Sequence, residues 1–471
     1  MKPKGLIASF SIALAAQMLN IFSGILTSLL VPKVLGVEEF GYWQLFVFYT
    51  SYGMVFSLGV NDGVYLIEGG QSRETINKSS IKTQFFLGMS YQILIALLIC
   101  LLSASGAFGP DRSFVLLATA VFFVLNNAAN YFSYLLQAIN ETRKSSASVA
   151  VNSITFIIPL VALLALRVTD YRVYILFYAL SRLISLLYCF AVTKDFFAAK
   201  PLSLRLAIPH LSKSVRAGSK LMFATLASSL ILGIMRFLID INWGIEEFSI
   251  VSLSVSMTTL VLTCVSQASM VLFPTLRQVN QEALSKCFEL VRDSLDLWLP
   301  IVYLFYSPFA FLLSLWLPQY ETSFHLFSIL LPLCVFDGKM DLVGMTFLKV
   351  LRKESRLLKI NLATLAVGSL FSLIGTYVTH SIEFILVGTV LAVMARSIYS
   401  EHYVARLLEV PQSSMAWGVI VMSAIFSFFA YSYGYLVSWL ISAALYAAHL
   451  LINRKKARQA LSALGILSRP R

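Results

Sequence analysis

The chain reads as an all-α polytopic membrane protein of about 14 transmembrane helices: two pseudo-symmetric six-helix lobes related by a parallel repeat, plus a C-terminal helix pair. Three observations predict this. Of its 471 residues, 58% are hydrophobic and only 13% are charged, whereas soluble proteins carry roughly 25% charged residues. Apolar runs of about 20 residues, the length that crosses a ~30 Å hydrocarbon core, recur along nearly the whole chain. The sequence also repeats itself, since GVEEFG at 36–41 returns as GIEEFS at 244–249. Both copies lie between two long apolar runs, as if one helical hairpin headed each of two similar halves.

Apolar runs between charged or turn-rich breaks place the spans at 6–31, 41–67, 85–108, 113–140, 148–167, 173–193, 218–242, 249–275, 295–317, 324–349, 359–380, 383–408, 415–432 and 434–452. In lipid the backbone must satisfy its own hydrogen bonds, so each run is expected to be helical. Lys2, Lys4 and Ala13-Leu14-Ala15 imitate a signal peptide with a cleavage site. The apolar run continues to Val31, however, and is read as an uncleaved first span. The N-terminal lobe then covers 1–193 and the C-terminal lobe 218–408. A cytoplasmic amphipathic connection covers 194–217, and the terminal helix pair with its basic tail covers 409–471. Within the connection, Pro201 and Pro209 are expected to break any regular helix. Its Leu202, Leu204, Leu206 and Ile208, set among basic residues, suit either a segment lying on an anionic leaflet or a solvated linker.

The charge distribution orients these spans. With the N-terminus inside, 28 of the 36 Lys and Arg fall in inside segments, and only Lys33, Arg112, Arg167 and Arg172 fall in outside turns. Such a bias is what the positive-inside rule expects, and it puts both termini in the cytoplasm. The same rule accounts for the net charge of +13 without invoking nucleic acid. The repeat recurs at other positions. SRLIS at 181–185 matches ARSIY at 395–399, an offset of 214, and QAINETRK at 137–144 matches KVLRKESR at 349–356, an offset of 212. An even number of spans per half makes the halves run in the same direction, related by an axis along the membrane normal.

Polar groups inside the spans are the candidate functional residues. Arg182 and Arg396 fall at matching mid-membrane depths. An arginine there costs on the order of 2.5 to 3.5 kcal/mol on insertion scales, so each needs a wet cavity or a partner. Arg236 and Asp240, four apart in span seven, can form an ion pair. Asp337 and Asp341 share a face of span ten, and two crowded, desolvated carboxylates there are candidates to hold H+ or Na+ as a coupling ion. Lys339 lies about 200° round the helix from Asp337 and faces elsewhere or toward the cytoplasmic surface. Gln17 and Asn20 in span one, and Asn126, Asn130 and Gln137 in span four, form polar stripes that serve either as cavity lining or as interhelical glue. Asp62, near the inner end of span two, either lines an inner gate or caps a helix. No catalytic motif emerges: the five His and five Cys are scattered, and there is no Gly-rich phosphate loop.

VPKVLGVEEFGYWQLFVFY at 31–49 and SLGVNDGVYLIEGG at 57–70 resemble the polysaccharide transporters of the multidrug/oligosaccharidyl-lipid/polysaccharide (MOP) exporter superfamily, in particular the bacterial O-antigen (Wzx-type) flippases. The P-[KR]-x-L-G-x-x-E-[FY]-G turn and the acidic, Gly-rich end of span two carry the resemblance. It is specific over about the first 80 residues, and beyond them it rests on span count, loop pattern and the repeat. It implies an inner-membrane flippase with two lobes around a central cavity, carrying undecaprenyl diphosphate-linked oligosaccharide outward for lipopolysaccharide or other surface polysaccharide. The diphosphate would suit Arg182, Arg236 and Arg396, and the sugars would suit Asn and Gln side chains. Membrane lipids, and polymerase or chain-length proteins of the same pathway, are the implied partners. A drug or cation antiporter of the same superfamily, or a membrane polysaccharide polymerase or ligase, is the alternative.

Overall fold

The computed structural model describes residues 3–276 and 280–458. Every element among them is helical; of the sequence reading, Lys2 and the basic tail from 459 onward lie outside the described residues. The chain divides into two compact units, Met1–Leu226 and Ala227–Arg471. The division falls inside one helix rather than in the connection at 194–217.

The first unit contains α1 (Pro3–Leu29), α2 (Val31–Leu35), α3 (Val37–Ser51), α4 (Val60–Ile67), α5 (Lys78–Ala104), α6 (Pro110–Ala138), α7 (Thr142–Ala165), α8 (Tyr171–Val192), α9 (Lys194–Ala198) and the start of α10 (Leu204–Trp243). Its core is aromatic. Phe85, Tyr131 and Phe132 are buried with Leu135, Leu136 and Leu186, which ties α5, α6 and α8 together. Pro209 does not interrupt α10 but sits inside it. Its ring lies less than two turns from the helix start, where the missing N–H removes a single intrahelical bond. Span two is broken by a 3₁₀ turn at Gly53–Ser57 and by left-handed Leu58 and Gly59. The break lets α4 cross α10 backbone to backbone: a Cβ on Gly63 would fall 1.9 Å from the Ser214 carbonyl oxygen, and one on Gly218 would fall 2.0 Å from that of Gly59.

The second unit contains the rest of α10, then α11 (Ile245–Leu276), α12 (Gln281–Trp298), α13 (Val302–Trp316), α14 (Glu321–Leu330), α15 (Pro332–Lys339), a π-helix at Met340–Met345, α16 (Thr346–Val350), α17 (Glu354–Ile374), α18 (Ile382–Leu407), α19 (Ala416–Ser432) and α20 (Tyr435–Ile452). Ile231, Met235, Val251, Leu330, Leu333 and Leu386 form a core that draws α10, α11, α14, α15 and α18 together. Among the described residues eleven helical stretches are long and apolar enough to cross a membrane. The three expected spans outside that set are the broken span two, span ten with its proline start and π-helix, and the 17-residue α19.

The repeat read from the sequence is a repeat of geometry. Gly36 and Gly244 both take a positive φ, +80° and +91°. Each accepts a hydrogen bond from the N–H of a fully buried phenylalanine four residues on, Phe40 and Phe248, at 3.1 Å in both cases. Asn140 and Arg352, at the 212 offset, are both left-handed at φ +60° and +55°. The next N–H closes the preceding helix identically in each, Glu141 to Leu136 and Lys353 to Leu348, both at 2.8 Å.

Candidate functional site

Arg182 is placed by the aromatic packing one turn before it. Tyr178 meets Trp43 at 5.6 Å, stacks on Phe122 at 5.2 Å and meets Phe156 edge-on at 4.9 Å, so α8 is pinned against α3, α6 and α7. Arg182 then projects onto α6, where it donates to the Asn130 side-chain oxygen and, at 3.4 Å, to the Asn126 carbonyl. Its Nε is buried without a partner. Among the described residues no carboxylate pairs with it, so its positive charge is solvated by neutral oxygens alone.

The other polar residues of this unit divide in role. Gln137 donates to Ser145 at 3.1 Å, and Ser133 shares a 2.8 Å hydrogen bond with the same hydroxyl, so this end of the span-four stripe joins α6 to α7. Asn127, one position off the stripe, is fully buried and donates to the Gly53 carbonyl and to Gln92, each at 2.8 Å. Asn20 is exposed and Gln17 half-exposed on α1, away from the hydrogen bonds that hold Arg182. Asp62 is half-buried on α4 beside the glycine crossing, and neighbouring Asn61 donates to the Asn127 carbonyl.

Arg396 lies on α18 and is 4% exposed. It is ion-paired to Asp337 on α15, and its other terminal nitrogen donates to Ser228 at 2.9 Å and to Asn361 at 3.5 Å. The Asp337 side chain remains 29% exposed. Asp341, in the π-helix, has no ion pair among the described residues. Arg396 lines a cavity of about 340 Å³ between α17 and α18, together with Arg356, Lys359, Thr364 and Tyr399. Arg356 donates to the Tyr399 hydroxyl and lies 4.8 Å over the Tyr403 ring. Three cations and no carboxylate line this cavity, which makes it chemically suited to an anion. Arg236 belongs elsewhere in the unit, bonded to Ser252 at 2.9 Å and 5.1 Å over the Phe248 ring, and Asp240 is buried one turn on. Among the described residues no three His, Cys, Asp or Glu side chains gather as a metal site.

A further correspondence links the two arginines. A π-helical turn holds one residue more than an α-helical one. Upstream of Met340–Met345 the repeat offset therefore falls from 212 to 211, which sets Asn126 against Asp337 and Asn130 against Asp341. The first unit thus meets its arginine with the Asn130 side-chain oxygen and the Asn126 main-chain carbonyl, and the second meets its own with the Asp337 carboxylate.

Lys339 points away from Asp337, in line with the 200° separation. It is 5% exposed and ion-paired to Asp296 of α12 and, at 2.6 Å, to Glu401 of α18. Ser413 donates to Asp296 at 2.7 Å, and the His449 ring of α20 lies 3.0 Å from the Asp296 carbonyl. Fully buried Arg292 bonds Asp293 and the Pro411 carbonyl, and Lys456 closes on Asp293 at 2.8 Å. α15 and α18 are therefore stapled by two ion pairs of opposite sense, Asp337 to Arg396 and Lys339 to Glu401. The second belongs to a network that fastens α12 and α20 as well.

Comparison with known proteins gives this geometry a family. Residues 6–280 match the model of the polysaccharide biosynthesis protein family. Among solved structures, one described as lipid II flippase MurJ in an inward closed conformation superposes with a TM-score of 0.61 at 13% identity, covering 95% of this chain and 99% of its own. An inward-facing multidrug resistance MATE transporter of the MOP superfamily gives 0.60 at 12% identity, covering 86% and 98%. A MATE protein in complex with MaL6 gives 0.52 at 13% identity, covering 87% and 97%. Curated protein sequences yield no match. At such identities the structural likeness speaks for a shared transporter fold, while the sequence match spans more than half of the chain. The chain is a multi-pass membrane protein and belongs to the polysaccharide biosynthesis protein family.

Proposed function

We propose that the protein is a flippase that moves undecaprenyl diphosphate-linked oligosaccharide outward across the bacterial inner membrane by alternating access, supplying O-antigen, capsule or a related surface polysaccharide. The observation that carries this reading is Arg182, a half-buried arginine whose partners are neutral oxygens. Such a guanidinium holds its charge and presents a donor fork that fits phosphate oxygens. The basic cavity at Arg396, Arg356 and Lys359 offers a second anion site in the other unit. Asn126 and Asn130 serve glycan or phosphate oxygens beside Arg182, and Gln17 and Asn20 remain available to the sugars. Both termini lie in the cytoplasm in this reading.

A drug or cation antiporter is disfavoured, because a cation would meet three positive side chains in that cavity. The test is the export of glycan in cells that lack their own flippase, with membrane protein levels measured in parallel. Arg182→Gln is expected to lower surface glycan at least tenfold at unchanged protein level. Full glycan in that variant would count against the reading.

A further inference from the structure

Asp337 occupies the one arginine of the basic cavity that is buried. In an empty carrier Arg396, 4% exposed, is costly to leave without a counter-charge. A loaded one cannot keep Asp337 in place, because the carboxylate holds the guanidinium face that a phosphate would need. We propose that Asp337 is an internal stand-in for the substrate's anionic group: it neutralises Arg396 in the empty protein, is displaced when a diphosphate binds, and takes up one proton on release. This rests on the reading of the substrate as a lipid diphosphate.

The surroundings of Asp337 support the exchange. From α18 only Arg396 meets it, and from the π-helix Asp341 stands one turn away as a second negative charge. On its own helix the Cys334 thiol is turned toward the Thr258 carbonyl of α11, and Lys339 is turned toward Asp296 and Glu401. Lys349 lies near enough to act electrostatically on Asp341. Among the described residues Asp337 therefore has one cationic partner to lose, Arg396. Once Arg396 is lost, Asp337 stands one turn from the Asp341 carboxylate, and the two repel each other. The 29% exposure of Asp337 gives water, and hence a proton, access to it. The balance is simple: the Arg396–Asp337 pair opens, a phosphate oxygen takes the guanidinium, and one proton from water joins the Asp337 carboxylate.

Linkage makes the effect reciprocal, so protonating Asp337 must strengthen anion binding by the same factor. A proton that enters with the anion cannot be the counter-ion of an antiport. The drive then falls to the membrane potential acting on the diphosphate's remaining charge, worth about 2.3 kcal/mol per charge per 100 mV. This departs from the expectation that Asp337 and Asp341 carry an antiported ion.

Calorimetric titration of the full chain in nanodiscs with farnesyl diphosphate tests the exchange, using buffers of different ionisation enthalpy to count protons. Wild type is expected to take up more protons per ligand than Asp337→Asn, with the difference approaching one. The variant should bind about tenfold tighter, in the range usual for coupled sites. It should fold, because asparagine keeps the side-chain oxygen that accepts from Arg396. Inorganic pyrophosphate as ligand separates a lipid headgroup from a free diphosphate, and weaker binding of pyrophosphate is expected. Equal proton uptake and equal affinity in wild type and variant would overturn the stand-in while leaving the flippase reading intact. Proton release on binding would also overturn it, in favour of antiport. Farnesyl diphosphate binding to neither protein would sink the substrate reading, and the stand-in with it.

Discussion

Arg396 and Asp337 face each other across α18 and α15 as an ion pair, and one turn further along α15 and its π-helical continuation stands Asp341, which has no ion pair among the described residues. The repeat-related Arg182 makes its contacts with Asn126 and Asn130 instead. The two units therefore present the same arginine in different electrostatic settings: Arg182 meets neutral oxygens and Arg396 meets a carboxylate.

Removing Asp337 altogether should show how much the pair stabilises the second unit. Breaking a buried pair from one side typically costs 3–5 kcal/mol, and the partial exposure of Asp337 reduces this to about 1–3 kcal/mol. Asp337→Ala is expected to lower Tm in detergent by several degrees, with Asp337→Asn closer to wild type. A Tm for the alanine variant equal to wild type would mean that Ser228 and Asn361 suffice to hold Arg396.

Lys339 is expected to be the more critical cation for folding. Lys339→Met strands Asp296 and Glu401, both almost fully buried, and should cost about 3–5 kcal/mol. Adding Glu401→Leu removes one of the stranded charges and should recover part of the loss. Thermal unfolding of the single and double variants measures this, and additive losses would speak against a shared network.

The amides and carboxylates at the repeat-related positions were present in the sequence, but their correspondence was not legible there. The π-helix displaces the offset by one residue, and hydropathy gives no sign of a π-turn. Arg182 and Arg396 were legible because flanking residues repeat around them. The partners of Lys339 come from segments 43 residues before it and 62 after it in the chain, Asp296 and Glu401, so no local pattern could name them. Arg356, Lys359 and Tyr399 escaped because the first two count as inside-segment cations, and only the fold brings them to one cavity with Arg396. Gln137 belongs to a helical stripe whose face at that end meets Ser145 of α7. The breaks in spans two and ten were hidden because averaging over apolar residues conceals a 3₁₀ or π turn.

Acid sensitivity should reside partly outside the membrane, at Asp195. Its partial burial would raise the carboxyl, but the hydrogen bond from Lys78 and the charges of Arg73 and Lys78 outweigh this and hold it below the ordinary aspartate value. A carboxyl lowered by folding adds stability that is fully present above its unfolded value and is lost as pH falls through the folded one, here below about pH 4. All three side chains are a quarter to a third exposed, so the contribution is at most about 1 kcal/mol. Asp195→Asn should flatten the acid limb of a Tm–pH profile and leave the remainder of its slope unchanged.

Glycine replacement should separate strain from collision. Gly36→Ala and Gly244→Ala place a side chain at positive φ with open space around it, a strain of about 1–2 kcal/mol. Gly63→Ala instead drives a methyl into the Ser214 carbonyl and should abolish folded expression, as read by size-exclusion chromatography of the solubilised protein. A well-folded Gly63→Ala protein would mean that α4 and α10 can separate at this crossing.

The most direct test of the proposed anion site is the affinity of the full chain for farnesyl diphosphate when a carboxylate is given to Arg182. Asn130→Asp supplies one and should weaken binding at least tenfold, as should Arg182→Gln, with both proteins folded and membrane-inserted. Unchanged affinity in both variants would contradict the assignment of Arg182 as the diphosphate anchor.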